Sequence, residues 1–329
     1  MKLSALLGGI AGVVLAAWLL QSYGIGRILD LLGQAGWFGI AAMVAFHLVQ
    51  IVFSAAAWRV IAGPTVPRPG LRDFVALRLI REGVNNLLPV AQIGGEFVAS
   101  RLLQRRGVLL ASAISGSLAD FTIEVVTQVA FTLLGLGLLL DSVGGSDVAG
   151  YVASGLVVAA LAVIGFLGAQ WLGLSTLIEK GLMRLGRTLG WAGSAQVEGL
   201  HKALIECYRA SSRILLASTW HLVSWLLGGV EVCLALHVVG HDVSLGPGLV
   251  IESLGQALKT AGFAVPGALG VQEGGYIIVC HLFGLTPDVA IALSLMKRLR
   301  EVTLGVPSLI AWQCLERQRP MHLLPESTS

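Results

Sequence analysis

Charge is what this chain has least of. Only 12% of its 329 residues are Asp, Glu, Lys or Arg, about half the ~25% that a soluble globular protein carries. Length alone would suggest about two soluble domains, but so few charges cannot cover their watery surface. Aromatic residues are also scarce, at 7%, and the tryptophans gather near the ends of apolar stretches, as an interfacial belt would. The four cysteines, Cys207, Cys233, Cys280 and Cys314, include no CxxC pair. That excludes a disulfide framework and a zinc site and leaves them as small buried residues. No GxxxxGK[ST] loop is present to cradle a nucleotide, and no GxSxG elbow to present a nucleophilic serine. His237 and His241 stand four apart but lack the glutamate of an HExxH pair, so no metal and no cofactor are expected. The net charge of +3 is too small to imply nucleic acid, and no Gly/Ser- or Pro-rich linker divides the chain.

What is present is hydrocarbon. Hydrophobic residues make up 55% of the chain, with a mean hydropathy of +0.82. Six stretches are long enough to cross a bilayer: about 3–23, 37–62, 110–140, 151–172, 214–239 and 288–313. The first follows Lys2 and resembles a signal peptide, but its apolar run is longer than a usual signal core and no cleavage site follows, so it reads as a retained helix. Gly8 and Gly12 form a GxxxG there that could pack another helix, and a homo-oligomer is one arrangement open to the chain. Two further stretches, about 83–103 and 249–285, are apolar but broken by Pro, Gly and polar groups. Residues 173–213 form the long hydrophilic segment, read as an amphipathic pair on the membrane surface. Residues 316–329 read as a disordered tail, so a single membrane domain is expected over 1–315.

Lys and Arg set the orientation. Arg68, Arg72, Arg78 and Arg81 follow the second span, Arg101, Arg105 and Arg106 precede the third, six more lie in 173–213, and Arg317 and Arg319 close the chain. The connections on the opposite side hold one arginine, Arg27. Both termini are therefore expected in the cytoplasm. The first broken stretch then enters from the cytoplasm and returns there, and the second enters from outside and returns there.

The two broken stretches resemble each other. NNLLPVAQIGGE, residues 85–96, and GFAVPGALGVQE, residues 262–273, each place six residues between a proline and a glutamate, Pro89 to Glu96 and Pro266 to Glu273. A shift of 177 residues also carries Glu124 onto Glu301 and Asp120 onto Lys297. Opposite entry sides make this an inverted-topology repeat, with halves at about 37–140 and 214–313, the usual construction of secondary transporters. The fold class expected is an all-α integral membrane protein of about six spans with two re-entrant helical hairpins. Pro89, Gly94, Gly95, Pro266, Gly270 and Gly274 are expected to form the hairpins, since glycine allows close approach and positive φ.

Charge reappears inside the spans. Asp120, Glu124 and Gln128 share one helical face, and Lys297, Arg298, Arg300 and Glu301 begin about nine residues into the last span. An unpaired charge at that depth costs about 2.5–3.5 kcal/mol, so the simplest arrangement sets the acidic face of the third span against the basic cluster of the last. Glu96 and Glu273 sit beside half-helix ends, where a carboxylate can bind a proton, a cation or a head group, or can cap the helix. Asn85, Asn86, Gln92 and Gln272 add neutral hydrogen bonds nearby. His47, Gln50 and His221 read as satisfied packing groups.

VPGALGVQEGG, residues 265–275, followed by KRLRE, residues 297–301, together with NNLLPVAQIGGE, resembles the paired signatures of the flippase-like membrane domain of lysylphosphatidylglycerol synthases. The wording is similar to that of the hopanoid-biosynthesis-associated (HpnL-type) membrane proteins. The resemblance covers essentially the whole chain. It implies lipid movement, with a hopanoid or related phospholipid as substrate, in a bacterial cytoplasmic membrane. The soluble aminoacyl-transferase domain of the synthases is not among these 329 residues, so the synthase activity is not expected and the chain reads as a non-enzyme. Movement would then be downhill or coupled to a proton or cation, with Glu96 and Glu273 as the coupling candidates. Asn86, Gln92, Gln272, Asp120, Glu124, Lys297, Arg298, Arg300 and Glu301 would line or support the path. The alternatives are a non-transporting scaffold for lipid-biosynthesis enzymes and a membrane-embedded lipid-modifying transferase.

Overall fold

Where hydrocarbon replaces water, a backbone must satisfy its own hydrogen bonds, and long apolar runs become helices. In a computed structural model, residues 25–63, 69–88, 94–143, 200–262, 265 and 268–317 are described. Among them are nine helices and no strand: α1 Ile25–Ala62, α2 Leu71–Leu87, α3 Gly94–Arg105, α4 Leu110–Val143, α5 Leu200–Arg209, α6 Ser211–Val238, α7 Leu245–Ala261, α8 Val271–His281 and α9 Pro287–Arg317. Among the described residues, three segments are long and apolar enough to cross a membrane, Gly33–Ala62, Leu110–Ser142 and Ser211–Val238. They coincide with the second, third and fifth expected spans. The expected spans at 3–23 and 151–172, and residues 173–199 of the surface segment, lie outside the described residues.

Apolar residues fill the core and also face outward, and charge is buried among them. Val52, Leu134, Leu215, Val306 and Ile310 are exposed, whereas Arg81, Asp120, Glu231 and Lys297 are buried. On α9 the exposed apolar positions Leu299, Val302, Val306 and Ile310 recur at helical spacing along one face. Its 31 residues have the length of a span, and its charges keep it out of the apolar class. At its far end α9 runs through Arg317, two residues into the tail expected to be disordered. Glu316 is ion-paired there to Arg101 at 3.0 Å and Arg105 at 2.6 Å, which ties the end of α9 to α3.

Each broken stretch is a pair of helices. α2 and α3 flank the first break, α7 and α8 the second. A shift of 177 residues carries the start of α3, Gly94, onto that of α8, Val271, and the start of α4, Leu110, onto that of α9, Pro287. Packing repeats in the same way: α2 lies on α9 as α7 lies on α4, and α1 on α2 as α6 on α7, while α1 and α6 pack on each other.

The glycines divide by what they do. α1 breaks at Gly36, φ 57°, just before the span expected from residue 37. Gly270 caps α8 at φ 76°, and a Cβ on Gly95 would lie 2.3 Å from the Arg81 carbonyl oxygen. Those two positions require glycine. Gly274 does not, since it is helical and a Cβ there would meet nothing. Pro89, Gln92 and Pro266 lie outside the described residues. Ala268, buried beside the second break, holds φ 47°, a conformation costing a side-chain-bearing residue about 1–2 kcal/mol.

Candidate functional site

α2 presents Arg78, Arg81, Glu82 and Asn85 at i, i+3, i+4 and i+7, one face of a helix. That face looks inward. Arg78 and Arg81 are 5% and 2% exposed and meet the acidic face of α4. Arg78 forks onto Glu124 and also bonds Glu82 at 2.9 Å. Arg81 donates to Glu96 at 2.8 Å, Asp120 at 2.6 Å and Glu124 at 2.7 Å, and its guanidinium lies 5.7 Å from the Trp58 ring. His221 of α6 bonds the other Asp120 oxygen at 2.9 Å. Asn85 holds the hairpin shut by accepting the Gly95 N–H at 2.8 Å and donating to Glu96 at 3.2 Å.

The second half builds its own set. Lys297 pairs with Glu252, Arg298 with Glu273, Arg300 with Glu231, and Lys259 with Glu301. Glu273 also accepts the Gly270 N–H at 2.7 Å, so it caps α8. Gln272 is buried and donates to Ser294 at 2.9 Å.

The two sets meet at a cavity of about 340 Å³. Of the residues the sequence singled out, Glu96, Asn86, Glu124, Arg300 and Glu301 line it, while Gln272, Glu273, Asp120, Lys297 and Arg298 are not part of its lining. The expected pairing of the acidic face of α4 with the basic cluster of α9 does not occur. α4 packs on α7, α6 and α1, whereas α9 packs on α2, α1 and α8. Asp120 and Glu124 of α4 instead meet Arg78 and Arg81 of α2, and Lys297, Arg298 and Arg300 of α9 meet Glu252 of α7, Glu273 of α8 and Glu231 of α6.

Comparison with known proteins now decides the kinship. The family model for the lysylphosphatidylglycerol synthase TM region matches residues 5–310. The chain belongs to that family. It is similar to a UPF0104 membrane protein of Methanothermobacter thermautotrophicus (strain Delta H), 22% identical over 314 residues, 88% of this chain and 89% of the relative. No solved structure matches. This member of the family is thus a multi-pass helical membrane protein.

Several cavity residues were not singled out by the sequence. Arg78 and Arg81 counted toward orientation, as if in a cytoplasmic connection, yet they are buried and ion-paired. His47, Gln50 and His221, read as packing groups, all face the cavity, as do Glu82, Glu252 and Lys259. One signal was available for α2, the i, i+3, i+4, i+7 spacing of its polar residues. The same kind of signal was present on α7, where Glu252, Gln256 and Lys259 stand at i, i+4 and i+7, whereas Glu231 has only apolar residues and glycine at i±3 and i±4 of α6.

Proposed function

We propose that this chain moves lipid across the bacterial cytoplasmic membrane, with the head group passing through the cavity while the tails stay in the bilayer. The observation that carries this reading is a cavity lined with charge halfway along apolar spans. Glu124 is the 15th residue of Leu110–Ser142, and His47 the 15th of Gly33–Ala62. Charge at that depth is a functional signal, because a buried pair placed only for stability gains little over apolar packing. The matched order of α1–α4 and α6–α9 supports an inverted repeat with the site at its interface, where transporters of this construction bind. Kinship with the synthase membrane region supports a lipid as cargo. A hopanoid or a related phospholipid is our substrate class, and no catalytic step is assigned.

The test is lipid movement in proteoliposomes together with the lipids that copurify. Wild type should move a fluorescent phosphatidylglycerol between leaflets and retain one lipid class over bulk composition. Glu96→Gln with Glu273→Gln should lose both. No movement by wild type, with bulk lipid retained, would overturn the reading and favour a scaffold.

A further inference from the structure

His47 lines the cavity and has more carboxylate partners than its neutral form can serve as a donor. Its Nδ1 lies 3.2 Å from Glu231 Oε2 and its Nε2 lies 3.4 Å from Glu82 Oε2. A neutral imidazole offers one N–H and one lone pair, so it can face one carboxylate and must turn its lone pair to the other. Neither carboxylate is free to supply the missing proton cheaply. Glu82 Oε1 accepts from Arg78 Nε at 2.9 Å. Glu231 accepts from Arg300 and from Gln50. Arginine does not give up its proton, so both acids are held as anions and the extra proton belongs on the ring.

His221 makes the contrast. Its Nε2 faces a single carboxylate, Asp120, which already takes Arg81 at 2.6 Å, and a neutral ring satisfies that geometry.

The location matters as much as the stoichiometry. His47 is on α1, Glu82 on the first hairpin arm α2, and Glu231 on α6 of the other half. From α9, Arg300 and Glu301 face the same space, and Lys297 also acts on Glu231. His47 lines the main cavity, and Glu82 is 26% exposed, so a proton can reach the ring from water in the cavity.

We infer that His47, clamped between Glu82 and Glu231, is an exchangeable proton site that ties the first hairpin and the two halves together when occupied. On protonation the imidazolium donates from both nitrogens. On release one N–H is lost: the ring keeps its bond to Glu231 across the half-to-half contact and turns its lone pair to Glu82 on the first hairpin. Glu82, at the longer distance and the more exposed, is the partner released. On the transport reading above, this site links lipid movement to the proton gradient.

The experiment has two arms. Full-length protein with 15N-histidine, in nanodiscs of phosphatidylethanolamine and phosphatidylglycerol, is titrated by NMR between about pH 5 and pH 8, the range in which histidine exchanges its proton. The His47 resonances are identified by their loss in His47→Gln and, independently, in His47→Asn. Wild type is expected to show both ring nitrogens protonated at neutral pH, and Glu82→Gln with Glu231→Gln only one. A ring neutral throughout, or one unmoved by the double replacement, overturns the site. The second arm compares movement of fluorescent phosphatidylglycerol with and without an imposed pH gradient. A several-fold acceleration in wild type, reduced to no difference in His47→Gln, supports the link. Equal wild-type rates under both conditions overturn the link and leave transport standing. No wild-type movement at all fails the transport reading, and the NMR arm then decides the proton site by itself.

Discussion

At the scale of the residue, Arg81 has the most to lose. It is the shared partner of Glu96, Asp120 and Glu124, and it is 2% exposed. Removing one member of a buried network leaves uncompensated charge, at a cost of about 3–5 kcal/mol. Arg81→Met should therefore lower the thermal midpoint sharply in detergent. Arg81→Lys should recover only part of the loss, because a lysine cannot reproduce the planar fork that reaches three carboxylates. The hairpin glycines give a paired prediction. Gly95→Ala drives a Cβ to 2.3 Å from backbone and should destabilise by about 1–3 kcal/mol. Gly274→Ala sits in a helix with open space and should be neutral or stabilising by up to about 1 kcal/mol. Equal midpoints for the two variants would refute the distinction.

At the scale of the element, the hairpin helices are short and lean on their caps. α8 has 11 residues, a length at which a helix in isolation is marginal. Its first turn is held by Glu273 accepting the Gly270 N–H. Glu273→Ala should weaken that turn by about 1 kcal/mol, and amide hydrogen exchange at residues 270–274 should speed up while that of α3 is unchanged. Exchange unaltered in α8 would show that Glu273 does not act as its cap. The break points, the start of α1's apolar run and the spans of α4 and α6 were legible in the sequence, because apolar length and Gly/Pro interruption are local properties. The burial of α2 was not. Counting Lys and Arg cannot tell an arginine in water from one aimed at a carboxylate more than 40 positions along the chain, as Arg81 is aimed at Glu124.

At the scale of the whole molecule, α1 and α6 are the central pair and occupy matched places in the two halves. If the halves rock against each other, fixing this pair should stop the motion. A Cβ built on Gly39 lies 3.3 Å from the Val238 Cβ, close to the ~3.5–4.5 Å of a disulfide. With the native cysteines replaced, Gly39→Cys with Val238→Cys should cross-link on oxidation. Lipid movement should fall several-fold, and reduction should restore it. Full movement while cross-linked would place the motion elsewhere, in the hairpins.

The sequence by itself determined that the chain is helical and membrane-spanning. It also determined that two interrupted segments recur 177 residues apart, and that Asp120, Glu124 and the 297–301 cluster must find partners inside. These conclusions follow from hydropathy, periodicity and the cost of charge in hydrocarbon, all properties of short windows. Only the tertiary structure decided who the partners are. It gave Asp120 and Glu124 to the α2 arginines rather than to α9, set Glu273 behind the cavity as a cap, and brought His47 between two carboxylates from different parts of the chain. A charged residue in the sequence states a need, and long-range packing, which no local pattern encodes, chooses how that need is met.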